Sequence, residues 1–480
     1  MDFGPSQIAG VLIYVAVWVA LLRDEWPWLP LGRALSSCAG AALMVAFGAL
    51  SPSAAFASID VPTLALLTGC MMLSAHAEKA GVARILAAAL SGVEGRALLL
   101  RISFITFIAS AFFTNDTACI LLTPIIVRAA RASRLRPRAA LICTALAANT
   151  GSACSPIGNP QNMLIALAGG LSFATFLRTI LFASILGLGV NVLVVAHVFK
   201  DDLEPRESID SIADPSSANM LKAGGVPATA AATDSASAGS EEPAAIVSSE
   251  GNLLAESATS SAAGRVVILP APVNAVAEAR TLRQRLVAYG LCATVPLLLF
   301  ADSWMGLAWT SLFAGSALFV IDGVAPAPLI ARIDARLLFF FSGLFVCTSG
   351  LEATGLPASA WSAAAPSLKL DTGSGTLLLT LLVVLGANTI SNVPLVLLLK
   401  PTFSAMPAAG AINAWALLAW TSTVGGNLTL LGAVANVIVA ERASAEGESI
   451  SAVDWLKAGV PATALSLALG TPLVWALSRY

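Results

Sequence analysis

The chain has 480 residues, of which 57% are hydrophobic and only 11% charged, with a formal net charge of −2 and a mean hydropathy of +0.84. So little charge excludes a soluble multidomain protein and leaves a polytopic membrane protein, with the lipid bilayer as its surroundings. The basic residues sit in short loops between apolar runs and form no patch with interleaved aromatics, so no nucleic-acid partner is expected.

Taken in chain order, apolar runs able to span about 30 Å of hydrocarbon fall near 7–22, 34–56, 61–78, 139–169, 173–199, 285–301, 303–322, 335–352, 412–441 and 455–478. Each predicts one crossing. The opening residues carry no positive n-region, and no small-residue cleavage site ends the first run, so that run is expected to stay as a transmembrane helix. Two further runs, 97–127 and 374–400, are too long for one crossing, and their arms beside a polar break (101–113 with 117–127; 376–387 with 393–400) read as too short for two. Each predicts a re-entrant hairpin with its tip at Thr114-Asn115-Asp116 or Ser391-Asn392-Val393. Between the halves the sequence turns Ala/Ser-rich and acidic, which predicts a disordered linker over 201–280 joining a first repeat (1–200) to a second (281–480).

The halves are related by a constant shift. A displacement of 274 carries Asp60 to Asp334, Gly69 to Gly343, Gly81 to Gly355, Gly151 to Gly425, Gly158 to Gly432 and Asn162 to Asn436; one of 277 carries Asn115 to Asn392. Each half holds five crossings, an odd number, so the second copy is expected upside down relative to the first. Residues 79–138 contain nine Lys or Arg, whereas the shifted window 353–412 contains only Lys369 and Lys400. The positive-inside rule then places the first hairpin's base and the linker in the cytoplasm and the N terminus outside. Arg23, Arg33, Arg332 and Arg336 agree with this assignment, and Arg178 does not.

Polar breaks inside such apolar runs are costly unless they line a cavity or are buried in protein, and half-helix ends there offer dipoles to ions. Thr114, Asn115, Thr117, Ser391 and Asn392 bring short polar side chains to the hairpin tips, and Asn149, Thr150, Thr423 and Asn427 do so from the broken helices that follow. Asn159 and Asn162, after the first break, and Pro394, beside the second tip, join Thr114, Asn115, Thr117, Ser391 and Asn392 as candidate substrate-binding residues. Asp116 stands out, because a carboxylate at membrane depth costs about 2.5–3.5 kcal/mol and is usually functional. It can bind Na⁺, carry a proton or cap its helix, and its shifted counterpart is Val393. Glu78, Glu352, His76 and His197 fall at helix ends and read as structural. The seven cysteines are scattered with no CxxC, and no GxxxxGK[ST] or HExxH motif occurs, so neither a zinc site nor ATP coupling nor an intramembrane enzyme is expected.

The string Phe113-Thr114-Asn115-Asp116 with Leu121-Leu122-Thr123-Pro124, then Ala148-Asn149-Thr150-Gly151-Ser152 and Pro156-Ile157-Gly158-Asn159-Pro160-Gln161-Asn162, resembles the ion transporter superfamily. That superfamily contains arsenite permeases, citrate transporters, divalent anion/sodium symporters and some sodium/proton antiporters. Ser391-Asn392-Val393-Pro394 and Gly425-Gly426-Asn427 carry the resemblance through the second half. It implies an all-α fold of two inverted-topology repeats, each of about five transmembrane helices with a re-entrant hairpin, working by an elevator-like alternating access. It further implies ion sites from Thr114, Asn115, Asp116, Asn149 and Gly151 in the first copy, where Thr150 of the broken helix is a further candidate ion ligand, and from Ser391, Asn392, Thr423, Gly425 and Asn427 in the second. Substrate would sit between Asn115 and Asn392. The expected activity is secondary transport of a small inorganic or carboxylate anion in a bacterial inner membrane, coupled to Na⁺ or H⁺ without any other cofactor. A Na⁺/H⁺ antiporter using Asp116 and an arsenite-type efflux permease are the alternatives, and a homodimer is one assembly open to it.

Overall fold

A computed structural model describes residues 4–21, 32–90, 95–204, 273–301, 305–323 and 327–479. Among them every regular element is helical. The first half runs α1 (Pro5–Leu21), α2 (Gly32–Ala46), α3 (Pro52–Ala57), α4 (Val61–Lys79), α5 (Val82–Ala89), α6 (Gly95–Phe113), α7 (Asn115–Ala132), α8 (Pro137–Ala153), α9 (Pro160–Gly169) and α10 (Phe173–Val198). The second runs α11 (Val273–Leu299), α12 (Gly306–Asp322), α13 (Ala327–Ile330), α14 (Ala335–Glu352), α15 (Leu356–Ala364), α16 (Gly373–Ile390), α17 (Asn392–Ser404), α18 (Ala408–Gly425), α19 (Val434–Ala445) and α20 (Ala452–Leu477). Residues 1–206 and 280–480 make up one compact body. Most of the expected linker, with Arg23 and Asp302, lies outside the described residues.

Helix starts follow local chemistry. Ser51, Asp60, Asn159, Ser172, Asp334, Thr372 and Ser451 each accept the N–H three residues on, satisfying one donor that the first helical turn leaves unpaired. The chain breaks where the polar strings interrupt the apolar runs, between α8 and α9 and between α18 and α19. Five described helices, α6, α10, α14, α16 and α20, are long and apolar enough to cross a membrane.

Three expectations are corrected. The single crossing over 34–56 is two helices, α2 and α3, because Gly48 adopts a positive φ of 71° and turns the chain. The hairpin arms are longer than the apolar count suggested: α6 has 19 residues and α7 and α16 have 18, although α17 has 13. Arg96, Arg101, Arg128 and Arg131 end the apolar run without ending the helix, so length alone does not forbid a crossing, and re-entrance rests on where the tips lie. The linker's expected ends are also structured, since Lys200–Asp202 forms a 3₁₀ turn and α11 begins at Val273.

The two repeats make the same contacts. Asn162 Nδ2 donates to the carbonyls of Ser152 (3.0 Å) and Ser155 (3.2 Å), and its counterpart Asn436 donates to those of Gly426 (2.9 Å) and Thr429 (3.0 Å), the residues that the same shift predicts. A Cβ on Gly158 would meet the Ser152 carbonyl at 2.3 Å, and one on Gly432 the Gly426 carbonyl at 2.6 Å. Reciprocity shows in the packing of α4 on α12 and of α14 on α2: a Cβ on Gly69 would meet the Ser311 backbone, and one on Gly343 the Ser37 backbone, both at 2.5 Å.

Helices α1, α2, α4, α12 and α14 pack on one another as a first group, while the two hairpins, α8 to α10 and α18 to α20 form a second. Where the second group meets the linker, Asp202 is buried and held by Arg138 through two bonds, Nε at 2.9 Å and Nη2 at 3.0 Å. Arg138 is 34% exposed and keeps Asp454, so Asp202→Ala removes two charge-assisted bonds without stranding a buried charge and should cost about 1.5 kcal/mol. The check is a lower melting temperature for the purified protein, with Asp202→Glu intermediate.

Candidate functional site

Both hairpins turn on a single non-glycine residue of positive φ. Thr114 stands at φ 75°, ψ 147° and Ser391 at φ 73°, ψ 158°. This region is normally left to glycine, and holding a β-branched Thr or a Ser there costs about 1–3 kcal/mol unless the surroundings dictate it. The strain occurs at equivalent points of both repeats and places Asn115 and Asn392 as the first residues of α7 and α17.

The tips open onto a cavity of about 1030 Å³. Asn115 and Asp116 line it from the first hairpin, and Ser391, Asn392, Val393 and Pro394 from the second. Pro160 and Gln161 at the start of α9, and Ala433 and Val434 at the start of α19, complete the polar side. Four helix N-termini therefore converge on one space, each with N–H groups that no carbonyl of its own helix can accept. Opposite them stand α1, α2 and α14, contributing Trp18, Arg33, Asp334, Arg336 and Phe340. Of the charged side chains in this wall Asp334 and Arg336 are the exposed ones, so the mouth is assigned to their end.

Two atoms of cavity-lining residues stand out. Asp116 Oδ1 and Asn392 Oδ1 are buried and have no hydrogen-bond partner. Leaving a buried acceptor unsatisfied costs about 1–3 kcal/mol, and here the two fall at equivalent tips beside the cavity. Arg33 and Asp334 lie within electrostatic range of Asp116. With Arg336 they give the wall two positive and two negative side chains. Among the described residues no cluster of His, Cys, Asp or Glu could hold a metal ion.

Behind the cavity lies a buried amide network that joins the repeats. Asn115 Nδ2 donates to Asn149 Oδ1 at 3.1 Å, and Asn149 Nδ2 donates to Asn427 Oδ1 and Asn436 Oδ1, both at 2.8 Å. The Asn115 backbone N–H donates to the Gly158 carbonyl at 2.8 Å, fixing the first tip on the α8–α9 break. Thr423 Oγ1 donates to Asn162 Oδ1 and accepts from Asn159 Nδ2, both at 3.3 Å.

The expected site residues thus divide. Asn115, Asp116, Ser391, Asn392 and Pro394 meet in the cavity wall. Thr114 and Thr117 bond to one another and build the first tip rather than the wall. Asn149, Asn427, Thr423, Asn159 and Asn162 occupy a buried layer behind it, their side chains engaged with protein partners. The expected ion ligand Thr150 faces away, donating to the Leu146 carbonyl at 2.7 Å and accepting from Asn191 of α10 at 2.8 Å. Gly151 and Gly425 let helices approach closely, since a Cβ would meet the Phe107 carbonyl at 2.3 Å and Val384 Cγ2 at 2.9 Å.

Sequence reasoning missed Asn388, Gln161 and Arg33 as wall residues. Asn388 Nδ2 donates to the Gly425 carbonyl at 2.8 Å and its Oδ1 accepts from Thr429 at 2.9 Å, closing the end of α18. It was findable as a lone amide in an apolar run, one turn before the Ser391 tip. Arg33 read as a topogenic loop charge, and nothing in its flanks signals a cavity.

Comparison with known proteins supports the resemblance. The citrate transporter family, CitMHS, matches residues 16–425. The chain is 33% identical over 480 residues to the silicon efflux transporter LSI3 of Oryza sativa, covering 98% of each chain. It is 31% identical to the putative transporter arsB of Dictyostelium discoideum, covering 93% of this chain and 88% of that one. The solved YdaH transporter of Alcanivorax borkumensis aligns over 98% of both chains with 14% identity and a TM-score of 0.49.

Proposed function

We propose, from the premise that this chain belongs to the citrate transporter family and is a multi-pass membrane transporter, that it is a secondary transporter of a small hydroxyl-bearing oxyacid or its anion. The observation that carries this reading is the pair of unpartnered acceptors, Asp116 Oδ1 and Asn392 Oδ1, on cavity-lining residues at the two tips. An oxyacid that keeps hydroxyl hydrogens, such as silicic or arsenous acid, has a donor for each acceptor once the tips admit it. Fully ionised citrate has a single hydroxyl for two acceptors and brings three negative charges to a wall whose four charged side chains balance. The silicon efflux name of the Oryza sativa relative favours the same choice. Asp116 is the coupling carboxylate, carrying H⁺ or Na⁺ in exchange. The antiporter alternative keeps Asp116 in that role and removes the solute.

The inverted orientation of the repeats and the cytoplasmic placement of the linker belong to this reading. Ion pairs support them. Arg332 pairs with Glu78, Lys79 with Asp322, Arg131 with Glu448 and Arg138 with Asp454, all between loops assigned inside. Lys400 pairs with Asp60 between loops assigned outside. On this assignment the cavity mouth at Asp334 and Arg336 faces the cytoplasm of a bacterial cell, and the chain is caught open inward.

Proteoliposomes preloaded with a pH or Na⁺ gradient test the proposal. Gradient-driven flux of silicic acid or arsenite, with none of citrate, is expected. Saturable citrate flux without movement of either oxyacid would sink the oxyacid reading, and Na⁺-driven proton movement with no solute requirement would favour the antiporter.

A further inference from the structure

The ion pairs sort by helix group as well as by side. Lys79–Asp322 and Arg332–Glu78 stay within the first group, and Arg131–Glu448 and Arg138–Asp454 within the second. Lys400–Asp60 crosses between the groups. Lys400 belongs to α17 of the second hairpin, whereas Asp60 caps α4 of the first group. The two oxygens of Asp60 divide the work: Oδ1 accepts the Thr63 N–H at 3.1 Å, and Oδ2 accepts from Lys400 Nζ at 2.7 Å. Burial works against ionisation of Asp60, yet the hydrogen bond and charge of Lys400 hold its carboxyl below the usual carboxylate range. Glu352 of the first group also lies within electrostatic range of Lys400.

Asp60 stands at one end of the 19-residue α4, and Glu78, paired with Arg332 near the cavity mouth, stands at the other. The Lys400 contact is therefore made at the end remote from the mouth. The repeat relation shows that it has no twin. Asp334, the counterpart of Asp60, caps α14 and stands at the open mouth, and the position matching Lys400 in the first hairpin is Thr123, whose hydroxyl is spent on the Cys119 carbonyl at 2.7 Å.

We infer that Lys400 and Asp60 form a one-sided latch that holds the hairpin-bearing helices in the state whose cavity opens at Asp334. The inference rests on the transporter reading, because a latch has meaning only if the two groups move relative to one another. Breaking the pair shifts the population toward the opposite state, and restoring a cation at 400 restores it.

The test is side-specific labelling by a membrane-impermeant thiol reagent. Thr389→Cys, an exposed wall position, is the reporter, in a chain carrying Cys38→Ser and Cys292→Ser, since the other five cysteines are buried. With the latch intact, labelling should be fast from the Asp334 side and slow from the Asp60 side. Lys400→Met should raise the ratio of Asp60-side to Asp334-side labelling about threefold, the scale of one partly exposed ion pair. Asp60→Asn should do the same, and because Asn caps a helix as well as Asp, its folding is kept. Lys400→Arg should leave the ratio near that of the parent. An unchanged ratio in both Lys400→Met and Asp60→Asn, with the parent's melting temperature, overturns the latch. If the ratio shifts as expected while no oxyacid is carried by any variant, the cargo reading fails and the latch stands.

Discussion

Asp116→Asn is expected to lower gradient-driven flux at least about tenfold while leaving the protein folded, because it removes the one ionisable group at either hairpin tip without changing its volume. Oδ1 of Asp116 has no protein partner, so its replacement strands nothing within the fold. The Asp116 backbone N–H bonds to Asn115 Oδ1 at 3.0 Å and is untouched. The melting temperature should therefore stay near that of the parent or rise, as active-site substitutions that relieve an unsatisfied charge commonly do. Exchange of labelled solute with no gradient separates the roles. If Asp116 carries the coupling ion, Asp116→Asn loses gradient-driven accumulation but keeps solute exchange. If it binds solute directly, both fall together. Unchanged accumulation in this variant would remove Asp116 from the mechanism and send the search for the coupling group to Arg33 and Asp334.

Much of this arrangement was legible before any coordinates. The hairpin tips and the two broken helices follow from polar residues placed where an apolar run cannot absorb them, and burial leaves such residues few roles. The shift that aligns Gly158 with Gly432 and Asn162 with Asn436 proved to be a statement about hydrogen bonds, since equivalent amides reach equivalent carbonyls. What could not be read is direction. Asn149 and Thr150 are adjacent and equally polar, yet one joins the central amide network and the other bonds to α10, because neighbours on a helix point about 100° apart. Nor does composition mark Thr114 and Ser391 as positive-φ residues, since neither type favours that region and tertiary packing imposes it. Arg33 illustrates the third limit: its place in the wall depends on α2 packing against α14, a contact between residues about 300 apart in sequence.

Asn149→Leu is expected to destabilise the protein more than any other single substitution of similar volume in the polar layer. Asn149 accepts from Asn115 and donates to Asn427 and Asn436, so one side chain holds the first hairpin tip and both parts of the second broken helix. Leu has as many side-chain heavy atoms, which excludes a cavity as the cause, but leaves one donor and two acceptors buried without these partners. At about 1–3 kcal/mol for each group stranded, the total reaches several kcal/mol, a large share of the 5–15 kcal/mol that holds a typical domain together. The Nδ2 groups of Asn427 and Asn436 keep their carbonyl partners, at 3.5 Å for Asn427 and at 2.9 and 3.0 Å for Asn436, so the loss falls on their two Oδ1 acceptors and on Asn115 Nδ2. Thr150→Val, one residue away and equally buried, removes a hydroxyl that serves Leu146 and Asn191 and should cost only about 1 kcal/mol. The two variants compared by melting temperature in the same detergent decide the matter. A larger loss for Asn149→Leu identifies the amide network as the joint between the repeats, and equal losses would assign that joint to the apolar packing of α8 against its neighbours.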